Sequence, residues 1–238
     1  MKTRMSLVSN SSSSSFIVVF PHKPQTEDEI FQFLFNGQDG QIDSCYDDNY
    51  HMTHRQISSI AFKDCFNKNK ATLKELTEEF SSLVYYEFYK IEEAVKKDDI
   101  QAILDIDNFC EDSESITELI KLTRELEQMK KEEDMEHATL RRTFGILLNG
   151  QKTDEESQEF KDADIKLRQF WWKKMSPIGK KKQKILDKIT KERVQEFIND
   201  HKGWWYTILN YEDHSPEGSF MEHQNVFRHV ENIQICHH

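Results

Sequence analysis

The residues best suited to chemistry in this 238-residue chain gather near its end. Five of the ten histidines, His214, His223, His229, His237 and His238, lie in the last 25 residues beside Asp213, Glu217 and Glu222. Imidazole and carboxylate are the ligands that hold zinc, manganese or iron, and a neutral imidazole beside a carboxylate suits general acid–base transfer. Glu222, His223, His237 and His238 are therefore the candidate catalytic group, with His223 and His237 the candidate ligands of a divalent transition metal. On an extended strand His237 and His238 point to opposite faces, so at most one of them joins a given site. The plainer reading of the same residues is a solvated or sheet-capping polar end.

Two further segments carry recognisable chemistry. Ser11, Ser12, Ser13, Ser14 and Ser15 precede an apolar run, and hydroxyls with free backbone amides can cradle a phosphate. The segment lacks the glycines and the lysine of a P-loop, so a passive leader and a docking tag stand beside the ligand-loop reading. Between Lys166 and Arg193 eleven Lys and Arg face only Asp187 and Glu192, a local charge of +9 in a chain of net charge −11. Lys173, Lys174, Lys180, Lys181, Lys182 and Lys184 lie beside Trp171 and Trp172, a mixture able to track a nucleic-acid backbone and stack on bases. Lysine runs are also ordinary solvated surface. Asp47 and Asp48 with His51 and His54 form a lesser cluster, whose His-x-x-His spacing permits a metal site on a helix. No Gly-x-Ser-x-Gly elbow, dinucleotide-binding glycine pattern, His-Glu-x-x-His pair or kinase set is present.

Composition narrows what can position these groups. With 37% hydrophobic residues, 16 Phe, 7 Tyr and 4 Trp, the chain has material for a real core. Only 7 Gly and 4 Pro occur, which favours long helices over sandwiches and barrels. The acidic balance disfavours nucleic-acid binding by bulk charge. No apolar stretch reaches membrane-spanning length, and the serine run interrupts any signal-peptide core. Four dispersed cysteines with no Cys-x-x-Cys pair suit reduced thiols in a cytoplasm.

The elements follow from periodicity. Phe16-Ile17-Val18-Val19-Phe20, stopped by Pro21, predicts a buried strand. Thr26 and Glu29 frame a capping box, and Gly37 a C-terminal stop, for a helix over about 27–36. Residues 37–55 are polar and turn-rich and predict a loop. Apolar residues spaced by three and four predict helices over 72–97, from Ser113 onward, from about Phe160 to Ser176, and over 180–201, with a break near Ser176–Gly179 ahead of which Pro177 withdraws a backbone donor. Trp204–Tyr211 and Asn232–His238 read as strands, with a helical turn or two between Met221 and Val230.

Strand-like segments thus occur only at the two ends. The expected fold is α+β, with residues 1–36 and 203–238 forming a small sheet unit and 37–202 a mainly helical insert. An antiparallel pairing of the first and last strands would bring the serine run and the C-terminal histidines to one pocket.

Two segments carry a resemblance. Leu7-Val8-Ser9-Asn10-Ser11-Ser12-Ser13-Ser14-Ser15-Phe16-Ile17-Val18 resembles an N-terminal leader of many uncharacterised proteins of tailed bacteriophages and some bacteria. Met221 to Phe227 with Ile233 to His238 resembles the ending of phage proteins of similar design, in which glycine often stands at the position of Gln224 and serine at that of Cys236. The resemblance implies a phage-type origin, and hence the host cytoplasm, without an established activity. Two functions follow as expectations: an accessory or host-takeover protein acting through contacts with a host or phage protein, or an enzyme of phosphate-bearing substrates using the serine loop and the C-terminal His/Glu group.

Overall fold

The computed structural model describes residues 13–44, 50–99, 113–144, 158–212 and 216–237. The fold is α+β, with one small antiparallel sheet built from the two ends of the chain and a large helical region between them. The elements are β1 (Ser13–Phe20), α1 (Glu27–Phe35), β2 (Gln41–Asp43), β3 (His51–Thr53), α2 (His54–Phe66), α3 (Leu73–Lys97), α4 (Ser113–Thr143), α5 (Gln158–Asp200), β4 (Trp205–Glu212), α6 (Pro216–His223) and β5 (Asn232–His237).

Strand order is β4-β1-β5, and β1 is antiparallel to both neighbours, so β4 and β5 run parallel to each other. The three expected strands therefore do share one sheet. The continuous apolar run of β1 now has its reason: a central strand covered on both faces needs no polar alternation. Phe16, Val18 and Phe20 pack with Ile30, Leu34, Ile57, Trp205, Leu209 and Phe227 on one face. Ile17 and Val19 pack with Leu76, Phe80, Val194, Phe197, Tyr206 and Ile235 on the other.

The outer edge of β4 is closed by the segment before α3. Ala71 N–H donates to the Tyr206 carbonyl at 2.9 Å, while the ammoniums of Lys68 and Lys70 donate to the carbonyls of Ile208 and Trp204. Lysines that consume edge carbonyls keep a strand from recruiting another chain.

The chain divides into two compact units, residues 1–83 with 191–238 and residues 84–190, with the boundaries inside α3 and α5. In the second unit Val84, Phe88 and Ile91 of α3 pack with Ile116 and Leu119 of α4 and Leu186 and Ile189 of α5.

Two expectations change. Residues 37–55 hold a β-hairpin, with Ile42 opposite Met52 and Met52 buried, rather than a loop throughout. That hairpin leads into α2, whose Thr53 and Gln56 form a reciprocal capping box and whose Ile57, Ala61 and Cys65 recur every fourth residue toward the core. The break near Ser176–Gly179 does not occur: α5 is one 43-residue helix with Pro177 inside it. The lost donor at Pro177 is one bond among some forty, and the packing of Leu186, Ile189 and Trp171 on either side holds the helix line.

Pro177 is exposed, so its replacement disturbs no packing. Pro177→Ala restores a donor to the Lys173 carbonyl and is expected to raise unfolding stability by about 1–3 kcal/mol, read by urea denaturation. An unchanged or lowered stability would contradict an unbroken helix there.

Candidate functional site

The β1 register decides which end groups meet. Ser13 lies opposite Glu212 and His237, and Ser14 opposite Tyr211 and Cys236, so the start of β1 and the ends of β4 and β5 share one end of the sheet. The pleat then sends successive serines to opposite faces. Ser14, on the face of Phe16 and Val18, donates its hydroxyl to Glu222 Oε1 at 2.8 Å. Ser15 donates to Asn210 Oδ1 at 3.0 Å. Both hydroxyl protons are thus committed to oxygens within the fold, and the strand's amides belong to the ladder.

Glu222 is the unusual member of this group. It sits in the last turn of α6, which Phe220 and Met221 anchor in the core, and it is only 3% exposed. Its Oε2 has no hydrogen-bond partner among the described residues. The His223 ring lies beside it, with Nε2 at 3.7 Å from that oxygen, beyond hydrogen-bond range. The helix end is tied to β5, since Gln234 Nε2 donates to the Glu222 carbonyl at 3.3 Å. A buried carboxylate with one open oxygen can receive a proton or a cationic donor, which is the chemistry of a general base or of a contact to an ammonium or guanidinium group.

Of the expected catalytic group, Glu222 and His223 are adjacent and join Ser14. His237 is placed by its backbone opposite Ser13, and His238, Ser11 and Ser12 lie outside the described residues. Among the described residues no three His, Cys, Asp or Glu side chains are grouped to hold a metal ion. His51 and His54 do not share a helix: His51 pairs with Asp43 in the hairpin, while the His54 ring stacks on Phe35 at 3.9 Å and its Nδ1 lies 2.7 Å from the Gln38 carbonyl. A side chain at Gly40 would strike that ring, so the glycine there serves the packing of His54. Asp47 and Asp48 lie outside the described residues.

A partly buried polar trio not anticipated from the sequence lies on the Ser14 face. Tyr211, the β4 partner of Ser14, donates its hydroxyl to Asp64 Oδ2 at 3.0 Å, and Cys65 is fully buried beside it. Burial raises the Asp64 carboxyl above its ordinary value, against the lowering effect of the Tyr211 bond. Burial, then the charge of Asp64, lifts the Tyr211 hydroxyl well above its usual range. Burial pushes the Cys65 thiol up to about 12. The sequence signal was the four-residue spacing of Ile57, Ala61 and Cys65, which turns Asp64 toward the rim of the same face.

The basic segment lies on one continuous helix and not on two helices meeting near Ser176–Gly179. On an unbroken helix Lys173 to Lys184 spread over about 17 Å at 1.5 Å per residue. Lys181 pairs with Glu118, Lys182 with Glu92 while lying 4.5 Å above the Phe88 ring, and Lys174 lies 4.3 Å above the Phe170 ring. Lys173, Lys180 and Lys184 are exposed on one face with Lys166. Among the described residues no helix is long and apolar enough to cross a membrane. No protein-family model, curated protein or solved structure matches the chain.

Two measurements probe this end of the sheet. Ser14→Ala removes the donor to a buried carboxylate and is expected to cost about 1–3 kcal/mol by chemical denaturation; an unchanged midpoint would show that the bond contributes nothing. The thiol supplies the second. Its folded value lies above the unfolded one of about 8.5, so in that window the native state holds the proton that the unfolded chain has released. Stability is intact below the unfolded value and falls as pH rises toward 12, at about 1.4 kcal/mol per pH unit for this group, with Tyr211 adding the same sign above about 10. Cys65→Ala should flatten the slope of stability between about pH 9 and 10, and an unaltered slope would place the thiol in water.

Proposed function

We propose that this chain is a phage-type accessory or host-takeover protein that acts through contact with another protein. One observation carries the reading: Trp172 of α5 is 70% exposed, with Ile165 at 52% two turns earlier on the same helical face. A free indole is the side chain most often found dominating a protein interface, because it buries a large area with little rotamer freedom to lose. Arg168, between them on this face, is held by Asp164 at 2.7 Å and supplies the charged rim that such contacts use. The phage-type origin rests on the leader and the ending of the sequence.

The second reading is the enzyme of phosphate-bearing substrates, favoured by the open oxygen of buried Glu222 beside His223. Against it, the Ser14 and Ser15 hydroxyls that would bind the phosphate already donate inside the fold. The contact reading therefore leads.

The test uses the whole chain in host cells. A photo-crosslinking amino acid at the exposed Gln169 should yield a discrete adduct with another protein, and Trp172→Ala should abolish it by weakening the contact about 30-fold, some 2 kcal/mol. The melting temperature should hardly change, since the indole touches solvent. Background crosslinking alone, or an adduct indifferent to Trp172→Ala, would refute the reading.

A further inference from the structure

A different face of the second unit points to a partner of known sequence. α4 and α5 lie antiparallel, as three contacts in opposite chain order show: Trp171 Nε1 donates to Glu136 Oε2 at 3.0 Å, His137 Nδ1 meets Asp164 at 2.9 Å, and Phe144 packs on Phe160 at 5.7 Å. Beside these contacts the two helices leave an open cleft of about 660 Å³. Met135 and Leu140 from α4 and Ala163 and Leu167 from α5 give it an apolar floor. Met135 is 61% exposed, and Phe170, next along the α5 stripe, is 48% exposed. An antiparallel helix pair with an apolar face in water is half of a four-helix bundle.

The charges along the cleft identify the other half. On the α4 side the groups are acidic, Glu132 and Glu136; on the α5 side they are basic, Lys166 in the wall and Lys174 one helical stripe beyond Phe170. A face that is acidic along one helix and basic along the other is complementary to itself when turned over. A two-fold axis running along the helix pair lays α4 of one copy over α5 of the second and reverses no helix, so every neighbour in the bundle is antiparallel. A pure two-fold carries no translation along the axis, so heights are preserved. Trp171 against Glu136 sets those heights: Glu136 stands level with the turn holding Lys166 and Phe170, and Glu132, one turn away, with that holding Lys174.

We propose that the chain forms a two-fold homodimer through this cleft, with Met135, Leu167 and Phe170 buried between the copies and Glu132 and Glu136 of each copy facing Lys166 and Lys174 of the other. The Trp172 and Ile165 face points away from the cleft, so the dimer leaves it open to a further partner and stands or falls without it.

Sedimentation of the full chain tests the proposal. The wild type should run at twice the monomer mass. Glu132→Lys with Glu136→Lys sets like charges against each other in the homodimer and should raise its dissociation constant at least tenfold, as should Lys166→Glu with Lys174→Glu. An equal mixture of the two variants places opposite charges at every position and should restore the dimer as a heterodimer. Met135→Glu with Phe170→Glu, at exposed positions that leave the monomer fold alone, should give a monomer whose helical circular dichroism is unchanged. A wild-type monomer at every concentration, or charge variants that dimerise as the wild type does and show no preference for each other, would overturn it.

Discussion

Everything in the first unit depends on β1 being covered on both faces and bonded on both edges. A strand reading Phe-Ile-Val-Val-Phe cannot leave either face in water, and the elements that cover it are distant in sequence. Its partners come from the far end: β4 and β5 supply both ladders, α1, α2 and α6 one layer, and the ends of α3 and α5 the other. The sheet forms only when β1 meets β4 and β5, so its ladders join segments far apart in sequence. Such long-range pairing bears its loop-closure entropy before any burial offsets it.

That closure also creates the polar end of the sheet. Once β1 sits between antiparallel partners, its first residues must lie beside the last of β4 and β5. The pleat puts Ser14 on the more apolar face, where Glu222 is brought by the anchoring of Phe220 and Met221. A carboxylate would not be buried in such a place for its own sake. It is carried in by its neighbours and held by the Ser14 hydroxyl, with its second oxygen unbonded among the described residues. Cys65 and Tyr211 show the same tension, buried polar groups whose protons are held more tightly, with half-buried Asp64 beside them.

The second unit follows another economy. Its core is a narrow seam of Val84, Phe88, Ile91, Ile116, Leu119, Leu186 and Ile189, satisfied by three helices. Among the described residues, the reaches of α4 and α5 beyond that seam pack on each other, and two helices cannot bury two apolar stripes apiece. Met135, Ile165, Phe170 and Trp172 are left in solvent for that geometric reason. The proposed contacts rest on those exposed side chains.

Much of this was legible in the residues themselves. An unbroken β-branched and aromatic run, apolar spacings of three and four, and the Thr26–Glu29 cap are local properties, and local sterics and amphipathicity alone decide strand, helix and helix start. The long strand-like runs near both ends were enough to imply their shared sheet, though not the short hairpin between them. Tertiary structure alone decided the rest. The hairpin at 41–53 exists because Ile42 and Met52 find the core, a gain that three-residue strands cannot show in their own sequence. α5 passes through Pro177 because packing on both sides outweighs one missing bond, a comparison no local rule can make. Ser14 rather than Ser15 meets Glu222, 208 residues away, because the pleat sends the two hydroxyls to opposite faces of the sheet.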